Sequence, residues 1–205
     1  RSWDNADIKP NITIIISVYN EEKIIARKVE NALALDYPYG KLELLIVSDG
    51  STDNTVKIVQ GFRDKRIILK AFKDRSGKTA CLNQAVPEAQ GDIILFTDAN
   101  SMFPHDVLLK MVRNYADPKI GLVTGWTRYG ENDQSEDTTG IYSRFEKWTK
   151  IQESYISSCV GADGAVFSLR KELYRELRVD DINDFVIPLH VISQGKRAVM
   201  DPEVY

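Results

Sequence analysis

Four short polar clusters in this sequence could do chemistry on a charged ligand. They are Ser17-Val18-Tyr19-Asn20-Glu21-Glu22, Asp49-Gly50-Ser51-Thr52-Asp53, Asp74-Arg75-Ser76-Gly77-Lys78 and Asp98-Ala99-Asn100. Three of them end an apolar run, as Ile93-Ile94-Leu95-Phe96 ends on Asp98, and the third follows Arg66 to Ala71 by a few residues. A carboxylate in that place sits at the rim of a sheet and not in its core. In open α/β sheets the rim at the carboxyl ends of the strands is where ligands bind. An acidic rim calls for a cation or a cationic substrate. Four clusters meeting at one crevice would say more than any one of them alone.

The elements that must position these clusters alternate regularly. Strands are predicted over Ile12 to Val18, Leu42 to Ser48, Arg66 to Ala71, Asp92 to Thr97 and Ile120 to Trp126, all short and rich in apolar and β-branched residues. Helices are predicted between them. Glu21 to Leu35 places Ile24, Ile25, Lys28, Val29, Ala32 and Leu33 at helical spacing, with Glu21 and Glu22 in a first turn that favours anions. Thr55 to Phe62, Thr79 to Ala89 and a segment from Pro104 to Tyr115 follow, Pro104 standing where a first turn accepts proline. The βαβ order predicts an α/β fold with a mainly parallel sheet and helices on both faces. Beyond it the pattern changes. Tyr129 to Thr139 reads as a loop, Ile141 to Ser157 as a helix with Tyr142, Phe145, Trp148 and Tyr155, and Gly161 to Gly164 as a second loop. Ala165 to Leu169 and Arg197 to Met200 read as strands, and Asp184 to Ser193 as a helix. No repeat or linker divides the 205 residues, so a single domain is expected.

Composition excludes several classes. A net charge of -3 leaves no footprint for general nucleic-acid binding. The two histidines, His105 and His190, are too few and too far apart for a zinc site, and no apolar run approaches the length of a membrane span. Cys81 and Cys159 lack metal-like spacing, and reduced, packed thiols fit better than a disulfide.

Each cluster also has a plainer reading. Asp49 to Asp53 fits a turn with a helix cap. Gly77-Lys78 fits a loop followed by a solvated lysine, and it is not a Walker loop because the earlier glycine is missing. Asp98 fits a cap before the Pro104 helix, and Glu21 and Glu22 fit an ordinary acidic first turn. Trp148 and Tyr155, seven apart on one helical face, fit core packing better than stacking on a ligand.

Taken together, the sequence resembles the family 2 glycosyltransferases, which use nucleotide sugars and have the GT-A fold. The matching stretches are "ISVYNEE" at 16 to 22, "IVSDGSTDNT" at 46 to 55, "GKTACLNQAV" at 77 to 86 and "GDIILFTDAN" at 91 to 100. "VGADGAVFSLRKEL" at 160 to 173 and "NDFVIPLHVISQGKR" at 183 to 197 complete the set, in the family's order and across nearly the whole chain. The resemblance implies a donor half over residues 1–125 and an acceptor half over 126–205.

It also implies roles. Asp98 would be the first acid of the family's Asp-x-Asp motif, holding Mg²⁺ or Mn²⁺, ions that need only one or two carboxylates. Asn100 replaces the second acid and offers an amide oxygen without charge. Asp49 would bond the base, Asp53 the ribose or its own loop, and Ser17, Tyr19, Asn20 and Glu21 would line the base pocket. Lys78 would lie by the diphosphate, and the small Ala99 would let the donor approach. Asp184 stands where the family keeps its general base, although an N-cap of its helix fits the same residue and Asn183 departs from the acid usual before it. Gly161, Asp163 and Gly164 would meet the acceptor, a saccharide or a lipid-linked one, unless they form an ordinary tight turn. The reaction implied is an inverting transfer, with UDP as the expected nucleotide. Nucleotidyltransferases, phospho-receiver modules and a binding domain without turnover compete with this reading. The first would carry a Gly-rich basic loop after the first strand, where Tyr19-Asn20-Glu21-Glu22 stands. The start at Arg1 and the end at Tyr205 suggest a piece of a longer chain. It is expected on the cytoplasmic face of a membrane, in an anchored enzyme making cell-surface polysaccharide.

Overall fold

A seven-stranded sheet organises the chain, with strand order β3-β2-β1-β4-β6-β5-β7. The computed structural model describes residues 3–127 and 139–205. The strands are β1 (Ile12–Val18), β2 (Leu42–Asp49), β3 (Ile67–Phe72), β4 (Ile93–Asp98), β5 (Ile120–Thr124), β6 (Phe167–Arg170) and β7 (Arg197–Met200). The helices are α1 (Ile25–Leu33), α2 (Thr55–Gly61), α3 (Lys78–Glu88), α4 (Val107–Val112), α5 (Thr139–Ile156) and α6 (Asn183–Ser193). All contacts of β1, β2 and β3 are parallel, as are β1 with β4 and β5 with β7; β6 alone runs antiparallel to its neighbours β4 and β5. The α/β, mainly parallel architecture predicted from the alternation is the one observed.

The unbroken apolar runs of β1, β2 and β4 follow from helices covering both faces. Successive side chains point to opposite faces, and the core divides accordingly. Ile14 and Ile16 pack with Ile25, Val29 and Ala32 of α1 and with Leu108 and Met111 of α4. Ile15, Leu45 and Phe96 pack on the other side with Cys81, Leu82 and Ala85 of α3 and with Ile187 and Val191 of α6. Burying one such aliphatic side chain contributes roughly 1.5–3 kcal/mol. The edge strand β3 has no fully buried residue, as expected where only one neighbour covers it.

Several boundaries differ from expectation. The first helix begins at Ile25, not Glu21, and has no acid in its first turn. Glu21 and Glu22 instead sit in a turn whose amides bond to the next loop. The helix expected from Pro104 begins at Val107 and tightens into a 3₁₀ turn over Arg113–Ala116; Pro104 offers its carbonyl to Val107 N–H. Trp148 and Tyr155 are 57% and 46% exposed, so the core packing expected for them is not found. Trp148 stacks on Phe145 at 6.0 Å between ring centroids. The loop expected at Tyr129 to Thr139 lies, apart from Thr139, outside the described residues, as does the side chain of Tyr142. Among the described residues no helix is long and apolar enough to cross a membrane.

Candidate active site

The order in which strands are added to the sheet reverses between β1 and β4, which run parallel. From β1 the chain moves outward to β2 and β3, then returns to place β4 on the other side of β1. This is the switch point at which open parallel sheets bind ligands beyond the strand ends. The register sets Ser17 beside Asp98 there, which answers why an apolar strand ends on a carboxylate.

The first two clusters lock onto each other. Asn20 takes a left-handed φ of 53°, which asparagine tolerates better than most residues. Its side-chain oxygen accepts from the N–H of Thr52 at 2.8 Å and of Asp53 at 3.4 Å, and its backbone N–H donates to Ser51 Oγ at 3.1 Å. Glu21 N–H donates to Thr55 Oγ1 at 2.8 Å and Glu22 N–H to Asp53 at 3.1 Å. Asp53 also accepts from the backbone N–H and the hydroxyl of Thr55, opening α2. Desolvation pushes its carboxyl up, but the hydrogen bonds from Thr55 and Glu22 together outweigh this and hold it below the usual carboxylate range. Asp53 therefore supports the loop. Tyr19 lies under the Arg75 guanidinium, 4.0 Å from the ring centroid, so the first and third clusters also touch.

The third cluster joins the second to the fourth. Asp49 is only 4% exposed, and its two oxygens accept from the backbone N–H groups of Ser76 at 2.6 Å and Gly77 at 2.9 Å. The next residue, Lys78, donates through Nζ to Asp98 Oδ1 at 2.6 Å, both side chains being roughly two-fifths exposed. Segment 76–78 thus ties the acid of β2 to the acid of β4. Cys81 lies one turn into α3, where burial, with the nearby Asp49 carboxylate adding to it, pushes its thiol up to about 12. Both cysteines are free and buried.

Asp98 opens onto a cleft of about 720 Å³ that it shares with Asn100, Phe103, Trp126, Asp163 and Gly164. Ala99, expected to be small enough for a donor to approach, has its methyl buried in the apolar cluster with α1 and α4. Asp163 carries much of the loop's own structure, accepting from Thr127 N–H at 2.6 Å, Thr127 Oγ1 at 2.9 Å and Ala165 N–H at 3.0 Å. Gly161 has a left-handed φ of 88°, and Ala162 N–H donates to the carbonyl of Asp184 at 2.6 Å. A Cβ on Gly164 would stand 2.9 Å from Asp184 Oδ2, so the glycine leaves the room that this carboxylate occupies. Asp184 is not the N-cap of α6; that position belongs to Ile182 and no side chain caps it. Thr79 of α3 donates to Asn183 Oδ1 at 3.0 Å, fixing the start of α6 against the start of α3. The departure from an acidic residue at 183 therefore has a packing counterpart.

Among the described residues no three His, Cys, Asp or Glu side chains gather as a metal cage. One carboxylate and one amide oxygen, Asp98 and Asn100, line the cleft together. Mg²⁺ and Mn²⁺ dehydrate reluctantly and commonly take one or two carboxylates plus waters and phosphate oxygens. The pair therefore fits a cation shared with a phosphate ligand, and does not fit one held by protein alone.

One participant was hidden in the sequence. Lys28 of α1 is 0% exposed. Its ammonium donates to Thr97 Oγ1 at 3.0 Å and to the carbonyl of Ser101, and sits 4.1 Å from the Phe103 ring centroid. Burial pulls its pKa down to about 7, while the charge of Asp98 works in the opposite direction. The available signal was a lysine on the apolar stripe of a helix, between Ile25 and Ala32.

The family model described as "Glycosyl transferase family 2" matches residues 13–178. Poly-beta-1,6-N-acetyl-D-glucosamine synthase from Staphylococcus aureus (strain COL) is 34% identical over 123 residues, 59% of this chain and 29% of that protein. Beta-monoglucosyldiacylglycerol synthase from Nostoc sp. is 32% identical over 118 residues, 56% of this chain and 25% of that protein. The chain thus spans less than a third of these curated relatives. Among solved structures, the mannosyltransferase PcManGT from Pyrobaculum calidifontis, in complex with GDP-Man and Mn²⁺, superposes with a TM-score of 0.86 at 29% identity. That match covers 100% of this chain and 59% of the other. TarS 1-349 from S. aureus with UDP-GlcNAc has a TM-score of 0.68 at 18% identity, covering 94% of this chain and 56% of its own, a likeness of fold.

Proposed function

Since the chain belongs to glycosyl transferase family 2, we propose that it binds a nucleoside diphosphate sugar and passes the sugar to an acceptor hydroxyl with inversion. The observation that carries this is the linkage Asp49–Ser76/Gly77–Lys78–Asp98 at the switch point of the sheet, opening on the cleft that holds Asp163 and Gly164. The donor lies over the 1–125 half, with its base on the side of Ser17, Tyr19, Asn20, Glu21 and Asp49, and Asp53 holds the loop that carries this pocket. Lys78 turns from Asp98 toward the diphosphate, a flexible point charge suited to phosphate. A Mg²⁺ or Mn²⁺ ion held by Asp98 and Asn100 would neutralise the charge gathering on the departing diphosphate.

The acceptor occupies the 126–205 half. Asp184, beside Gly164, takes the proton of the attacking hydroxyl, whose own acidity is far too weak at neutral pH. Gly161, Asp163 and Gly164 form the wall the acceptor approaches. The Mn²⁺ and GDP-Man bound to the mannosyltransferase from P. calidifontis support a metal and a nucleotide sugar here. The S. aureus synthase, named for a polysaccharide product, supports a saccharide acceptor here, within a longer protein. A domain that binds without turnover is the second reading, favoured by the single acid at 98 to 100. A thermal-shift screen of UDP, GDP, CDP and dTDP with and without Mn²⁺ tests the donor site. At least one diphosphate is expected to raise the melting temperature more with Mn²⁺ than without; no response to any of them overturns the proposal.

A further inference from the structure

The buried ammonium of Lys28 lies beneath the turn that carries Asp98 and Asn100, and both its protein acceptors bracket that turn. Thr97 precedes Asp98, Ser101 follows Asn100, and Lys28 Nζ reaches the hydroxyl of the first and the carbonyl of the second. The turn is closed by Ser101 N–H donating to the Asp98 carbonyl at 3.3 Å, and Thr97 Oγ1 leans on that same carbonyl at 3.4 Å. The Phe103 ring covers the ammonium from the far side at 4.1 Å. Among the described residues no carboxylate bonds to it. A buried ammonium without a carboxylate partner is costly unless its donors are satisfied, and here they are spent on one five-residue segment. A methionine or leucine would fill the same space on the stripe of α1 at no such cost, so stability alone does not account for a lysine.

We infer that Lys28 is a positioning residue for the donor site: it clamps the 97–101 turn so that Asp98 and Asn100 face the cleft as a preset pair. This rests on the donor-site reading above. Clamping matters most when a site has one charged ligand, because each remaining oxygen must then be presented without further ordering cost. Lys28 touches neither donor nor acceptor, and acts only through the turn.

Hydrogen exchange on the ligand-free protein reads the clamp directly. Lys28→Met keeps the side-chain volume and removes the donors, and Thr97→Val removes one acceptor while leaving the strand, in case the first variant does not fold. Either is expected to speed exchange of the amides of residues 98–103 by about 10-fold or more, with β1 and the rest of β4 unchanged. Exchange at wild-type rates overturns the clamp. The second readout is calorimetric titration with the nucleoside diphosphate chosen by the screen, with and without Mn²⁺. The Mn²⁺-dependent gain in affinity should fall about 10-fold while the Mn²⁺-free affinity stays within about twofold. Equal loss in both arms, or loss in neither, overturns the positioning role even where exchange has changed. If the wild type binds no diphosphate, the donor-site reading and the positioning role fail together, and exchange alone judges the clamp.

Discussion

Asn20 offers the cleanest test of how the strand-end loops are held. Replacing it with alanine removes the acceptor for Thr52 N–H at 2.8 Å and Asp53 N–H at 3.4 Å, and leaves a side chain with no local bonds at φ 53°. One good hydrogen bond and three weak ones, including the contacts with Thr52 Oγ1 at 3.3 Å and 3.4 Å and all near solvent, are together worth about 1–2 kcal/mol. Alanine in the left-handed region adds about 1 kcal/mol, giving about 2–3 kcal/mol in all. Asn20→Gly loses the same bonds but accepts the backbone geometry, so it should cost about 1–2 kcal/mol. In a 205-residue chain one kcal/mol moves the melting temperature by about 2–4 °C. The alanine variant should therefore melt about 4–12 °C lower and the glycine variant about 2–8 °C lower. Urea unfolding followed by tryptophan fluorescence gives the free energies directly. Glycine as damaging as alanine would refute the backbone part of the reasoning, and two near-silent variants would refute the hydrogen-bond part.

A Cβ on Gly91 would stand 2.7 Å from the backbone carbon of Ile12 and 2.8 Å from the Ile93 oxygen, so Gly91→Ala should lose about 3 kcal/mol or more; a wild-type melting curve would contradict this. Burial pushes the thiols of Cys81 and Cys159 up to about 12 and about 11, so neither should react with a thiol reagent in the native protein near pH 8, and both should in denaturant. The sign for stability follows: a raised native pKa helps below the unfolded thiol value of about 8.5, and the help fades as pH climbs from there toward the native values. Urea midpoints should thus fall above about pH 9, less so in a Cys81→Ala, Cys159→Ala double variant. Asp184→Asn should keep nucleotide affinity within about twofold and slow sugar transfer by about 10²–10⁴ in the full-length enzyme, measured as released nucleoside diphosphate; unchanged turnover would remove Asp184 as the base.

The parallel half of the fold was legible because its strands are buried on both faces, which forces unbroken apolar runs that end on polar clusters. The exact start of α1 was not, since Glu21 and Glu22 spend their amides on Thr55 and Asp53, partners that only the folded sheet brings near. The position of β6 was likewise hidden: nothing local in Phe167 to Arg170 says it runs antiparallel between β4 and β5. At the site, residue types at the strand tips indicated Asp49, Lys78 and Asp98, but not that Ser76 and Gly77 amides would tie Asp49 to the lysine's segment. Ala99 was read for its size alone, and the sequence did not show that its methyl, one residue past the end of β4, packs with α1 and α4. Trp148 misled because aromatics on one helical stripe usually face a core, and here they face out.

The most direct measurement is calorimetric titration of the responding nucleoside diphosphate, with and without Mn²⁺, into wild type and Asp98→Ala. The account predicts that Mn²⁺ tightens binding to the wild type by about 10-fold or more, that Asp98→Ala abolishes this gain, and that its melting curve stays near wild type. The same Mn²⁺ gain in Asp98→Ala would contradict it.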